Sequence, residues 1–295
     1  MKFNNFVIIP LMVEQTGNKM QSATKQYYKR QNSGFLNDLG GNCHFGYDYG
    51  LKRYDLATTQ HNMQRLMGKK LDLPERSRVL DAGCGFGPVA RILTTEFGLD
   101  VWGIDLMEER LSEAKERNKE HSLDSIKLSG ADYHNLPFPD NFFDGLYTLE
   151  TLVHAQPLEK VLEEFKRVLK PGGKLVLFEY SIPPLDSLNP VVRSMANMVI
   201  DSTGMTSLYR FTHGAFPDIL KKAGFENANV VDISPFVWST WRYLWGNALK
   251  NTAIDIITGK FRFRDLRGCT MIYPARKNLG YNLCSANKPR NAVNQ

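Results

Sequence analysis

The stretch VLDAGCGFGPVARIL, Val79 to Leu93, decides how the rest of the chain is read. Val79 and Leu80 are apolar, as a buried strand requires. Asp81 follows, then glycines at 83, 85 and 87, and Pro88 opens a run with apolar residues at helical spacing. A strand that turns on glycines into a helix marks the ligand corner of an open parallel sheet, beyond the carboxyl ends of the strands. Glycine permits positive φ there and lets a ligand approach the backbone closely. Asp105, with Leu106 beside it, ends the next apolar run 22 residues after Gly83. A carboxylate so placed can accept the two ribose hydroxyls of an adenosine. A dinucleotide turn would need a third glycine at 88, where Pro88 stands, and Asp81 would repel a pyrophosphate. The same carboxylate suits a cofactor carrying a sulfonium and an ammonium group. The corner therefore favours S-adenosylmethionine over a nicotinamide cofactor, with Asp81, Gly83, Gly85, Asp105 and Leu106 as its contacts.

Outward from this corner, strands and helices alternate. RVLDAG (78–83), DVWGID (100–105), SIKLSGAD (125–132), FFDGLYTLET (142–151) and KLVLFEY (174–180) read as strands. PVARILTTEFG, MEERLSEAKERNKEH and PLEKVLEEFKRVL read as helices, the first ended by Gly98. Later, HGAFPDILKKAGF reads as a helix, and NANVVDIS and GCTMIYPARK as strands. Such alternation implies an α/β chain, a Rossmann-like, doubly wound sheet of seven strands with helices on both faces. The expected division is a helical cap or lid over 1–74 and a core over 75–278, with insertions at 181–212 and 235–267. A disordered polar tail is expected over 279–295.

The bulk numbers bound the function loosely. The chain has 295 residues, 42% of them hydrophobic, and a formal charge of +6. A mildly basic balance permits an anionic substrate, a lipid surface or nucleic acid and singles out none. The basic residues form no stripe, so nucleic acid is not expected as a partner. The cysteines at 43, 84, 269 and 284 lack CxxC spacing, so no metal site is expected, and their usage suits a reducing cytoplasm. FVIIPLMV, residues 6–13, is too short to span a bilayer. Stable membrane insertion is not expected, and a homodimer remains open.

LDAGCGFG, GID, GADYHNLPF, FDGLYTLE and LKPGG, in this order over residues 75–180, resemble the class I S-adenosylmethionine-dependent methyltransferases. The resemblance implies that Asp132 and Tyr133 hold adenine and that Gln60 lies near the methionine carboxylate. It also implies that Tyr27 and Tyr28 belong to an aromatic pair over the sulfonium. YTLETLVHAQP is similar to a segment of sterol C-methyltransferases, with Glu150 and His154 at matching positions, and MIYPARK is like their ending. NCHFGYDYG resembles a segment of sterol and prenyl diphosphate C-methyltransferases, and points to His44, Phe45 and Tyr47 as lid residues.

This branch implies C-methylation of an isoprenoid double bond, on a small apolar or amphipathic acceptor such as geranyl or farnesyl diphosphate. The cation formed can also cyclise. A diphosphate acceptor would call for Mg²⁺ or arginines, with Arg30, Arg53, Arg193 and Arg210 as candidates. Sterol C-methylation, and O- or N-methylation of a small natural product, stay open as alternatives. A binding module that has kept the fold without the activity is the reading from another class. Glu150 is the expected cation stabiliser or base, with His154, His44 and Tyr28 as further catalytic candidates. Trp238, Trp241 and Trp245 recur at helical spacing, so Trp238 and Trp241 join Phe45 and Tyr47 as expected substrate contacts.

Overall fold

The computed structural model describes residues 29, 41–50, 55–258 and 278–290. Its centre is one seven-stranded sheet, built from β1 (Arg78–Ala82), β2 (Asp100–Asp105), β3 (Lys127–Gly130), β4 (Phe143–Leu149), β5 (Leu169–Ser181), β6 (Glu226–Asp232) and β7 (Gly280–Asn287). The strands run in the order β3-β2-β1-β4-β5-β7-β6. The pairs from β3 to β5 are parallel. β7 runs antiparallel to both of its neighbours. The strand order reverses between β1 and β4, and that switch point opens a crevice at their carboxyl ends.

The helices form where apolar residues return every three or four positions. α1 (Leu56–Leu71) is capped by Asp55, whose side chain accepts from the Thr58 amide at 2.8 Å. It crosses α2 (Pro88–Phe97) so closely that a Cβ on Gly68 would lie 2.5 Å from the Phe97 ring. α3 (Glu108–Glu120) carries acids in its first turn and bases in its last, matching the helix dipole. α4 (Leu158–Val168) buries Val161, Leu162, Phe165 and Val168 along one face. Burial of each such side chain contributes about 1.5–3 kcal/mol. α5 (Pro190–Thr203), α6 (Phe216–Lys222) and α7 (Trp238–Thr258) complete the helices named here. Among the described residues no helix is long and apolar enough to cross a membrane.

The sheet has the seven strands expected, with β7 antiparallel between β5 and β6. One expectation needs correction: the region beyond 279 is not a disordered tail up to residue 290. Tyr281, Leu283, Cys284 and Ala286 of β7 are buried. The polar side chains of this strand find partners inside, with Asn282 donating to Ser181 Oγ at 2.9 Å and Asn287 to the Gly172 carbonyl at 3.2 Å. Lys288 donates to the carbonyls of Arg167 and Leu169 and to the Asn141 side chain, pinning the end of the strand under α4. The core domain therefore extends past 278. The strand expected in GCTMIYPARK and the end of the second insertion, 259–267, lie outside the described residues. So does most of the expected cap over 1–74, apart from the strap 41–50 and α1.

Candidate active site

The glycine corner folds as its residues demand. Gly83 and Cys84 both donate to the Ile104 carbonyl at 2.9 Å, which ties the turn to the tip of β2. Gly83 has φ +99°, and a Cβ there would lie 2.5 Å from Thr151 Cγ2. Gly85, at φ +54°, meets only Arg110 Nη1, 3.8 Å away, so its far side is open. This opening is part of a cleft of about 880 Å³, counted with its mouth, at the switch point of the sheet.

Two carboxyl groups line the cleft at this corner. Asp105 accepts from the amides of Gly85 and Met107, each at 2.8 Å. Burial raises its pKa, and the nearby charge of Arg110 acts in the opposite direction. Asp81 is 3% exposed, and its Oδ2 has no hydrogen-bond partner. Burial raises its pKa to about 7, and the charge of Asp105 adds to the rise. The Tyr147 hydroxyl is near enough to this carboxyl to pull its pKa down in part. A buried carboxyl with an unsatisfied oxygen is costly unless a cation or donor completes it. An adenosyl sulfonium bearing an ammonium group fits that requirement, and a pyrophosphate does not.

Leu106 and Tyr133 also line the cleft, and the Tyr133 hydroxyl donates to the Thr151 carbonyl at 3.1 Å. Asp132 sits behind them. Its Oδ1 accepts from the His134 amide at 2.9 Å and from His134 Nδ1 at 2.6 Å. Gln60 is buried and is not part of the cleft wall. Its Nε2 donates to the carbonyls of Asn42 and His44, so it fastens the strap 41–50 to α1.

The other end of the cleft is built around Glu150. This residue follows β4 at φ +59°, a left-handed conformation that side chains other than glycine rarely adopt. Glu150 Oε1 accepts from the Phe45 amide at 2.7 Å and from the Tyr281 hydroxyl at 2.6 Å. Oε2 accepts from the Tyr180 hydroxyl. Burial raises its pKa to about 7 against the pull of these three donors. His154 lines the cleft one turn further on and donates from Nδ1 to the Gly204 carbonyl at 2.8 Å. Burial lowers its pKa to about 4. The ring is therefore neutral at pH 7, with its proton on Nδ1 and a lone pair on Nε2.

The remaining sequence candidates divide. His44 lines the cleft, but Nδ1 donates to the Phe45 carbonyl at 2.8 Å and Nε2 lies 3.1 Å from the Gln64 amide group. With both ring nitrogens committed, His44 serves as wall and strap anchor rather than base. Phe45, Tyr47, Trp238 and Trp241 do not line the cleft. Phe45 is 8% exposed and packs on Tyr180, Trp241 and Tyr281, while Tyr47 packs on Tyr49 and Phe236. Their aromatic character holds the strap to the body. Arg193 and Arg210 pair with Asp186 and Glu159 and are also absent from the cleft wall. Tyr27, Tyr28, Arg30 and Arg53 lie outside the described residues. Among the described residues, no group of three or more His, Cys, Asp or Glu side chains could hold a metal.

Sequence reasoning missed Arg110, Tyr180, Tyr281 and Glu179. Arg110 had a readable signal, since it falls on the stripe of α3 that buries Leu111 and Ala114. Its guanidinium sits 5.1 Å from the centre of the Phe86 ring. Glu179, wholly buried in β5, accepts from the amides of Tyr180 and Val153 and so fixes the turn that carries His154. Tyr281 belongs to the segment read as disordered.

Comparison with known proteins agrees with this geometry. Residues 80–177 match the model of a methyltransferase domain. The S-adenosyl-L-methionine-dependent Diels-Alderase iccD of Talaromyces variabilis is 35% identical over 72% of this chain and 76% of its own length. The chain belongs to the S-adenosylmethionine-dependent methyltransferases. Within this family it is also similar to the sterol 24-C-methyltransferase ERG6B of Gibberella zeae, at 30% identity over 79% of this chain and 60% of that protein. The crystal structure of the [4+2]-cyclase SpnF superposes with a TM-score of 0.72 at 23% identity, covering 90% of this chain and 94% of the cyclase. That likeness shows the fold. The cofactor of this methyltransferase-family enzyme is S-adenosylmethionine, and the glycine corner, Asp81 and Asp105 share one cleft.

Proposed function

We propose that this enzyme acts on a carbon–carbon double bond of an apolar, unsaturated substrate, as a C-methyltransferase of an isoprenoid-type alkene. The observation that carries this reading is Glu150, a buried carboxyl held by three donors at the wall of the cleft that receives the cofactor. Bound S-adenosylmethionine supplies an electrophilic methyl group. An alkene carbon needs no deprotonation before it takes that methyl, and the product is a carbocation. Glu150 places negative charge beside the cation and offers an acceptor for the proton whose loss restores neutrality. His154, a neutral imidazole, stands on the same wall. Leu149, next to Glu150, adds an apolar side chain to the wall at this end of the cleft. The sterol 24-C-methyltransferase relative supports this class of acceptor.

A second reading has its own support. The relative at 35% identity is named a Diels-Alderase, and the fold matches that of a [4+2]-cyclase. In that reading the same cleft folds a linear polyene so that its diene and alkene meet, and the gain comes from holding two reacting ends in contact. One experiment separates the two. The protein is incubated with S-adenosylmethionine and, in turn, geranyl diphosphate with and without Mg²⁺, a sterol with an unsaturated side chain, a phenol and amine panel, and a linear polyene bearing a diene and an activated alkene. C-methylation gives a product heavier by one CH₂ together with S-adenosylhomocysteine. Cyclisation gives an isomer of unchanged mass and no S-adenosylhomocysteine. Methylation confined to a phenol or amine would overturn both.

A further inference from the structure

Glu150 is gripped from three directions by parts of the chain that are far apart in sequence. Tyr180 of β5 and Tyr281 of β7 stand directly opposite each other in an antiparallel pair, so their side chains rise from the same face of the sheet. Their rings meet edge to face with centroids 5.4 Å apart. One phenol serves each carboxyl oxygen, Tyr281 on Oε1 and Tyr180 on Oε2. Phe45 of the strap lays its ring parallel to that of Tyr281, with centroids 5.6 Å apart, and adds its amide to Oε1. A carboxylate offers about four lone-pair sites. Three are filled by the protein, and the carboxyl plane is fixed by a donor on each oxygen.

We infer that Tyr281 is a positioning residue for the reaction, its hydroxyl acting with that of Tyr180 and the Phe45 amide to hold Glu150 ionised and in one orientation, with a single acceptor site left toward the cleft. The inference rests on Glu150 being the reacting carboxyl of the proposed function. It assigns a role to a residue of β7, a strand that contributes no residue to the cleft wall. Two phenols that both donate stabilise the charged form of the carboxyl and resist its rotation, so a hydrocarbon cation meets a charge already in place. Because the Phe45 amide is one of the three donors, the strap is itself part of the Glu150 shell.

The titratable groups facing Glu150 leave a narrow window in which to test this. From β5 come Tyr180 and Glu179, from β7 Tyr281, from the strap Cys43 and His44, and from the turn after β4 His154. Burial pushes Cys43 up to about 12 and raises both tyrosines well above their usual range. Burial lowers His44 and His154 to about 4. Glu179 is raised to about 8, by burial first and by Glu150 in smaller part. Of these groups, the two glutamates change charge between pH 5 and 8; Asp81, at the far end of the cleft, also titrates near 7.

The decisive measurement is the carboxyl carbon-13 titration of Glu150 in full-length protein labelled at glutamate, with the resonance assigned by its loss in Glu150→Gln. Tyr281→Phe keeps the ring and removes the donor. A hydrogen bond to a charged group contributes about 1.5–3 kcal/mol, so the midpoint of Glu150 rises by about one unit or more. Tyr180→Phe raises it likewise from the other oxygen, and stands in should Tyr281→Phe fail to fold. Glu179→Gln removes the second carboxyl from the titration. On an acceptor identified as above, Tyr281→Phe lowers turnover about tenfold at pH 6 and less than twofold at pH 9, with KM for S-adenosylmethionine unchanged. A midpoint that stays in place or falls in both tyrosine variants overturns the inference, as does a loss of turnover equal at every pH. If no acceptor is methylated or cyclised, the proposed function fails while the titration still decides whether the tyrosines set the charge of Glu150.

Discussion

The two ends of the cleft are made in opposite ways. The cofactor end is local: Asp81, Gly83, Gly85 and Asp105 come from two consecutive strands and the turn between them, joined by short backbone hydrogen bonds. The reacting end is assembled from afar, as Phe45, Glu150, Tyr180 and Tyr281 meet across the strap, β4, β5 and β7. The cofactor end leaves a buried carboxyl oxygen without a partner, whereas the reacting end fills three acceptor sites of its carboxyl from within. The first leaves an acceptor that a cation can complete. The second is a carboxyl whose orientation three donors fix. Catalysis by preorganisation asks for this division, because a group aimed at a transient cation must already be oriented when the cation forms.

The sharpest way to break this comparison is Glu150→Gln. Product formation is expected to fall by about 10²–10⁴-fold, the usual worth of a placed acid or base, while calorimetric Kd for S-adenosylmethionine stays within about twofold. Equal losses in both would mean that the two ends are one unit. Asp81→Asn tests the converse. It removes the charge that a sulfonium or ammonium completes, and calorimetry is expected to show Kd weakened by about 10–100-fold, in line with 1.5–3 kcal/mol for a charged hydrogen bond.

A smaller effect follows from protonation. With Asp81 raised to about 7 by burial, the free enzyme holds a proton there that a bound cation displaces. Affinity for S-adenosylmethionine is therefore expected to weaken by up to about tenfold for each pH unit below 7. Calorimetry in two buffers of different ionisation heat should count about one proton released. Asp81→Asn should abolish the dependence. The same shift acts on stability. The folded pKa lies above the unfolded one, so the native state holds the extra proton between the two values. The stability of the cofactor-free protein is greatest below the unfolded pKa and declines as pH rises through the folded value near 7. Glu150 and Glu179 are raised in the same direction and steepen the decline. Thermal melts from pH 5 to 8 without and then with cofactor should show this loss, and its recovery at the Asp81 end.

The smallest effect is expected far from the cleft. Lys288→Ala removes the donor that satisfies the carbonyls of Arg167 and Leu169. Leaving such groups unpaired costs about 1–3 kcal/mol, equivalent to a drop of several degrees in Tm at roughly 2–4 °C per kcal/mol for a domain of this size. Cofactor affinity should be preserved, because the clamp secures β7 and not the glycine corner.

The same contrast explains which parts were legible in the sequence. The glycine corner could be read because its chemistry is written within one strand and turn, and Asp105 falls at the tip of the next strand. The helices α2, α3 and α4 could be read from apolar spacing and from Gly98 at the end of α2. Glu150 could be found from the motif that contains it, but its partners could not. Tyr180 looked like any alternating strand residue. Tyr281 sat among asparagine, serine and lysine, whose composition suggests solvent. The partners of these polar side chains are supplied by β5, and composition cannot show a partner. The aromatic strap was misread for a related reason: Phe45 and Trp241 pack on each other instead of facing a ligand.

The position of β7 has a consequence for the order in which the enzyme comes into being. It lies between β5 and β6 in space yet follows both in the chain. As the nascent polypeptide leaves the ribosome, the nucleotide-handling half of the molecule can close while a slot still stands open in the sheet. The phenol that completes the Glu150 shell arrives only when that slot is filled. A half-made chain could then grip its methyl donor before it has gained the means to use it.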